Sequence, residues 1–378
     1  MIYFDNAATT PVSAEAAEAV NRMMSPVFGN PSSAHSMGLA AELEIKAAAE
    51  ITADILKVRP DEIFFTSGGT ESNNLAVIGA ATARERLGTH IVTSQVEHPS
   101  VANAVKALEQ RGFEVTRLPV SPKGVLNPAD VAEAIRDDTI LVSLMHINNE
   151  TGVSFNIADI SGLVKEKNCR ILFHTDGVQA FCKEPLNMKH VDLYSLSAHK
   201  IHGIKGAGAL FIRKGLTIKP LLYGGGQQRN IRPGTENTAG IVSLAASAEA
   251  QIKNLKRTRE HVTLIKNELA GLADIMDNVF VNGAGSPFIL NMSFLGVKGE
   301  TLVHALEREG IYISAGAACN SKHIGHSSLR ALKLGEERVN SAVRFSFSDL
   351  NTLEEALKCK ESVIKTVQML RGNIRKRH

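Results

Sequence analysis

The chain has 378 residues, 44% of them hydrophobic and 21% charged, with a formal net charge of +3. That charge excludes a strongly basic nucleic-acid binder, and the length exceeds one ordinary core, so one large domain plus a smaller one is expected. No apolar run approaches membrane-span length, the start MIYFDNAATTP lacks signal-peptide features, and the 4 cysteines show no CxxC pairing, so a cytoplasmic protein without a disulfide framework is expected.

Ile2 to Phe4 reads as a short strand, and the DNAATTP turn leads through Ser13 into an alanine-rich helix ending near Met24. GNPSSAH is a loop of turn residues, after which Gly38 to Leu56 carries apolar residues at helical spacing. EIFFTSGGTESNN, Glu62 to Asn74, reads as a buried strand, a glycine turn and a helix starting near Thr70 to Glu71. N–H groups at such a helix start, with Thr and Ser hydroxyls beside them, favour a phosphate, although the same letters also serve as a cap.

Strand and helix patterns then alternate: HIVTSQVEHPSV, a helix to Arg111, FEVTRLPV, a helix near Pro128 to Ile135, TILVSLMHINNETG, a helix from Ile157 to Lys167, and CRILFHTDGVQA. This alternation marks an α/β fold, a mostly parallel sheet with helices on both faces, whose ligands sit beyond the carboxyl ends of the strands. At those ends stand Thr70, Glu97 and His98, Asn148 and Asn149, Asp176 and Gln179, and Ser197, His199 and Lys200. The glycine-rich loop GGGQQRNIRPGTEN precedes a long helix, about Thr238 to Ala270, expected to leave the first domain. From Val279 onward come SPFILNMSF, a helix Glu300 to Glu309, the strand IYIS, a helix around Ser328 to Leu334 and the strand AVRFSFS. This mixture predicts a compact α+β domain. Residues 14–255 are expected to form the large cofactor-binding domain, and residues 1–13 with 256–378 the small one.

The stretch SLSAHKIHGIKGAG, Ser195 to Gly208, places Lys200 at the end of an apolar strand, Val191 to Leu196, before three glycines. Such a lysine is either solvated in a glycine-rich turn or partly desolvated and reactive toward a carbonyl. An Asp on a neighbouring strand end suits a protonated ring nitrogen, hydroxyls and a His suit a phosphate, and a second His suits a ring face. Singly, His98 reads first as a capping histidine and Asp176 as a turn residue. Together on one rim, these groups are the parts of a pyridoxal 5'-phosphate site.

DNAATTP, TSGGTESNN, EHPSV, INNETG, HTDGVQA, SLSAHKIHGIKGAG, GGGQQRNIRPGTEN and AVRFS resemble, in this order, the cysteine desulfurases of the NifS/IscS type. These are pyridoxal phosphate enzymes of the class V aminotransferase group with the aspartate-aminotransferase-like large domain (fold type I). The resemblance implies that Lys200 is the Schiff-base lysine and proton carrier, Asp176 the pyridinium partner and Gln179 the neighbour of the ring hydroxyl. It places Gly69, Thr70, Ser197 and His199 at the phosphate, with Thr235 supplied by the second subunit of a homodimer. It implies that His98 stacks on the ring and assists proton transfer, and that Asn149 and Arg344 grip the carboxylate of L-cysteine.

Desulfuration also needs a thiolate that takes the substrate sulfur as a persulfide and leaves alanine. Cys319, in ISAGAACNSKHIGHSS, lies in a small-residue loop suited to that task. Cys169, Cys182 and Cys359 read as core or surface residues. The loop departs from the family's S-G-S-A-C-T-S, reading A-G-A-A-C-N-S, and Ser348, Asp349 and Leu350 replace its G-x-x-T. Cys319, His323 and His326 also have a spacing compatible with a metal. The sulfur is expected to serve iron–sulfur cluster assembly or thiolation of RNA or cofactors, through an acceptor protein such as an iron–sulfur scaffold, with no direct nucleic-acid binding. The competing readings are a selenocysteine lyase or other class V enzyme, and a non-catalytic metal-binding or scaffold protein on the same fold.

Overall fold

The computed structural model describes residues 1–315 and 328–375. After the short strand β1 (Ile2–Tyr3), the apolar runs become β2 (Ile63–Thr66), β3 (His90–Ser94), β4 (Glu114–Leu118), β5 (Thr139–Met145), β6 (Leu172–Asp176), β7 (Leu193–Ser197) and β8 (Gly208–Ile212). These last seven form one sheet in the order β2-β8-β7-β6-β5-β3-β4. β3 to β7 pair in parallel, and β8 runs antiparallel between β2 and β7.

Helices lie on both faces, so strands β5 to β8 are buried throughout and show no polar alternation. Phe64, Ile91, Leu141, Leu172, Leu193 and Leu210 point to one face, where Leu75 of helix Gly69–Arg84 and Val105 of helix Pro99–Glu109 cover them. Their neighbours Phe65, Val92, Val142, Phe173, Tyr194 and Phe211 point to the other, against Leu56, Ile160 and Leu244 from helices Ser36–Leu56, Ile157–Lys167 and Thr238–Lys253. This period of two places consecutive strand residues in different cores.

The strand β8 is absent from the sequence reading because its first residue, Gly208, belongs to the glycine run after Lys200. A Cβ at Gly208 would stand 2.6 Å from the Cα of Gly68, so the glycine serves a close strand-to-turn contact.

The second sheet contains β9 (Val279–Asn282), β10 (Ile289–Phe294), β12 (Ser314–Ala315) and β13 (Ala342–Ser346), all antiparallel, in the order β12-β13-β10-β9. The expected strand IYIS is divided: β11 (Ile311–Tyr312) pairs in parallel with β1, and β12 joins β13. The expected helix Thr238 to Ala270 is likewise two helices, Thr238–Lys253 and Leu255–Ala270, separated at Asn254 with φ −113° and ψ 8°. The break lets the first bury Ile241 and Leu244 in the large-sheet core while the second buries Val262, Ile265 and Leu269 with Phe4, Phe345 and Val363.

Residues 2–13 run between the two sheets. Asn6 Nδ2 donates to the Ser346 carbonyl at 2.9 Å, and the Ser346 N–H donates to Phe4 O at 2.7 Å. Farther on, the Thr10 N–H donates to His199 O at 3.0 Å and that of Ser13 to His202 O at 2.9 Å. The DNAATTP turn thereby reaches the loop that follows β7.

Candidate active site

The end of β2 turns through Gly68, whose φ of 148° favours glycine, into the helix Gly69–Arg84. Ser72 anchors this turn, sharing a 2.7 Å hydrogen bond with Thr66 Oγ1 and donating to Ala209 O at 3.0 Å. The first N–H groups of a helix have no intrahelical acceptor and carry the positive end of its dipole. Ser197, at the end of β7, and His199, in the following 3-10 turn Ala198–Lys200, complete an anion-accepting end. Burial, reinforced by Lys200, Lys205 and Lys183, pushes the His199 imidazole down to about 4, so it is neutral at physiological pH.

At the end of β6, Asp176 is 5% exposed and accepts from Asn73 Nδ2 at 2.8 Å and from the Val178 N–H at 3.0 Å. Lys200 Nζ donates to the carbonyls of Ala7 at 2.8 Å and Ala8 at 2.7 Å. Burial pushes its amine down to about 8, with Arg344 acting in the same direction and Asp5 and Asp176 opposing. Gln179 Nε2 donates to the same Ala7 carbonyl at 2.9 Å, while its Oε1 accepts from the buried Lys183 Nζ at 3.4 Å. His98 caps the helix Pro99–Glu109 through Nδ1, which accepts from the Ser100 N–H at 3.1 Å, and it also lines the cavity.

One cavity of about 180 Å³ gathers Gly69, Thr70, His98, Asn149, Asp176, Gln179, Ser197, His199 and Lys200. Asn73, Ser100, Met145, Ile147 and Val178 also line it, and the sequence reading had not singled these out. Thr70 and Asn73 are three residues apart on one helix and share a face, which is the signal that points to Asn73.

Arg344 stands outside this lining, 8% exposed on β13. Its Nη1 donates to Asn149 O at 2.8 Å, and its Nη2 pairs with Asp5 Oδ1 at 2.6 Å and Ser314 Oγ at 3.1 Å; Nε is buried with no partner among the described residues. Thr235 is exposed and does not line the cavity of its own chain.

The strand-end residues Glu97 and Asn148 are structural. Glu97 Oε1 accepts from the Met145 N–H at 3.0 Å, and Asn148 Nδ2 donates to Val96 O at 2.9 Å. Cys319, His323 and His326 lie outside the described residues. Among the described residues, no cluster of three His, Cys, Asp or Glu side chains is placed to hold a metal.

Hydroxyl and N–H donors meet at one end of the cavity, and Lys200 stands in the same lining. The one carboxylate in that lining, Asp176, accepts from Asn73 and the Val178 N–H rather than facing the anion end. A Cβ at Gly69 would stand 2.6 Å from Val178 Cγ2, so this part of the wall is closely built. This donor set fits pyridoxal phosphate.

The family model for aminotransferase class-V matches residues 2–358. The chain is 44% identical over 364 residues to a NifS/IcsS protein homolog of Lactobacillus delbrueckii subsp. bulgaricus, covering 94% of each chain. It is 42% identical over 361 residues to cysteine desulfurase IscS of Dictyoglomus turgidum, covering 94% of this chain and 91% of that one. A solved NifS-like protein superposes with a TM-score of 0.92 at 36% identity, over 97% of this chain and 99% of the other. With a match of this extent and a cavity at the strand ends whose donors fit pyridoxal phosphate, the chain belongs to the class-V aminotransferase family, within its NifS/IscS group.

Proposed function

We propose that this protein is a pyridoxal phosphate-dependent cysteine desulfurase that converts L-cysteine to L-alanine and carries the sulfur as a persulfide on Cys319. The observation that carries the reading is the shared cavity of Lys200, Asp176 and the anion-accepting end built by Thr70, Ser197 and His199. Held there, the cofactor supplies an electron sink for negative charge developing on the substrate carbon. Thr70, Ser197, His199 and the helix N–H groups hold its phosphate, Asp176 its ring nitrogen and Gln179 its ring hydroxyl.

Lys200 is the anchoring amine and the proton carrier. Its ammonium form is disfavoured by burial, so Nζ can release a proton and recover it near neutral pH. Arg344 and Asn149 receive the substrate carboxylate, and Asp5 keeps the guanidinium aligned through its 2.6 Å contact. Sulfur transfer then proceeds as the Cys319 thiolate forms an S–S bond while the carbon–sulfur bond of cysteine breaks. The electron pair stays on carbon, where a proton completes alanine, and the persulfide passes to an acceptor protein such as an iron–sulfur scaffold.

The active form is a homodimer in which Thr235 reaches the partner's phosphate site. Its exposure supports this, as do the exposed Phe28, Leu39, Leu43 and Tyr223. Among the described residues, no helix is long and apolar enough to cross a membrane; a cytoplasmic location belongs to the same proposal.

The test is incubation of the purified protein with L-cysteine and a reducing thiol, measuring alanine and sulfide. Equal release of both, reduced at least ~100-fold in Cys319→Ala, is the expected outcome. Full activity in that variant, with a preference for selenocysteine, would instead identify a lyase that needs no persulfide.

A further inference from the structure

The proton on His98 is placed by a chain of hydrogen bonds that starts at Asp176. An ionised carboxylate only accepts, so the Asn73 side chain must present its NH2 group, not its carbonyl, to Asp176 Oδ2 at 2.8 Å. The Asn73 amide oxygen is buried without a partner among the described residues, so no competing donor sets this orientation.

The same NH2 group donates its second hydrogen to Ser100 Oγ at 2.8 Å. Having accepted there, the Ser100 hydroxyl directs its own hydrogen to His98 Nδ1, 2.7 Å away. The Ser100 N–H also donates to this nitrogen at 3.1 Å. Two donors therefore converge on Nδ1, and the single proton of a neutral imidazole must sit on Nε2, which has no protein partner among the described residues.

We infer that Asn73 and Ser100 are positioning residues that lock His98 as a hydrogen-bond donor through Nε2, leaving proton transfer to Lys200. An Nε2–H has no lone pair with which to take a proton from the substrate. Protonation is open only at Nδ1, where it would break both bonds from Ser100. Burial opposes the imidazolium most, Asp176 favours it and Lys200 opposes it. The carboxylate assigned to the ring nitrogen of the cofactor thus also fixes the tautomer of the histidine lining the same cavity. What Nε2 faces rests on the desulfurase reading; the tautomer itself does not.

The test uses holoenzyme carrying nitrogen-15 in the rings of its 13 histidines, with the His98 signals identified by their absence in His98→Gln. At neutral pH, Nδ1 of His98 is expected in the unprotonated range and Nε2 in the protonated range. Ser100→Ala removes one donor from Nδ1 and keeps the backbone one, so the protonation midpoint of His98 shifts to higher pH. Asn73→Ala frees the Ser100 hydroxyl to turn away and shifts the midpoint in the same direction.

A wild-type ring protonated on Nδ1, or a midpoint unmoved by Ser100→Ala, overturns the inference. The wild-type tautomer is decisive even if a variant fails to fold. Alanine release measured on the same samples reports separately on the desulfurase reading, so failure of one is not confused with failure of the other.

Discussion

Glu97 shows how firmly the strand ends are built. Its Oε1 accepts from Ser94 Oγ at 2.6 Å and from the Met145 N–H at 3.0 Å, and Oε2 is buried without a partner among the described residues. Burial pushes its carboxyl up to about 8 against those hydrogen bonds, with Asp176 adding to the rise. The folded state therefore keeps a proton that the unfolded state loses near the ordinary carboxyl range. Stability from this group is full below that range and is lost as pH rises through about 8. Glu97→Gln removes the ionisation at similar shape. Denaturant titrations should show the wild type losing at least ~1 kcal/mol relative to the variant between mildly acidic and mildly alkaline pH, and a constant difference would refute the assignment.

At this scale the site was legible where chemistry-bearing residues end or directly follow an apolar run, as Asp176 ends β6, Ser197 ends β7 and Lys200 follows it. Asn73 and Ser100 were not, because a polar residue inside a helix or at its start reads as a solvated face or a cap. Their burial against Asp176 and His98 exists only once the strands are ordered side by side.

Among the elements, the contact between β8 and the turn before helix Gly69–Arg84 shapes the end of the cavity proposed to take the phosphate. A Cβ at Gly208 would also stand 2.7 Å from Leu196 O, so backbone surrounds the position on two sides. Gly208→Ala should cost about 1–3 kcal/mol by overpacking and should also loosen cofactor retention, because the displaced neighbour is the turn itself. Chemical denaturation and dialysis against cofactor-free buffer measure the two effects. Unchanged retention at reduced stability would separate the turn from the phosphate.

Helix and strand types followed from apolar period, but three details did not. The division of IYIS between two sheets, the break at Asn254 and the strand hidden behind glycines each depend on which core receives a segment. Local spacing carries no information about that choice.

For the whole molecule, the two sheets are joined by side chains of the site and by residues 2–13. Arg344 and Ser314 of the second sheet meet Asp5 and Asn149, and His202, two residues after Lys200, lies 3.4 Å from Asp349. The Ser348 to Leu350 segment thus contacts the loop of Lys200 rather than standing apart from it. Sedimentation of the holoenzyme should give twice the mass of one chain. Thr235→Ala should leave that mass unchanged while weakening cofactor retention several-fold, by loss of one hydrogen bond to the phosphate. A monomeric holoenzyme with full retention would remove Thr235 from the site.

The hydrogen bond from Asn6 to Ser346 spans 340 positions of sequence, and Ala7, whose N–H donates to Ser346 Oγ, supplies a carbonyl to Lys200. During synthesis the segment that accepts from the Lys200 amine leaves the ribosome early and waits for β13, among the last strands to emerge. A nascent chain can complete the large sheet long before β13 can brace the segment that meets Lys200, so under the role proposed for this lysine, competence to retain the cofactor is expected late in translation.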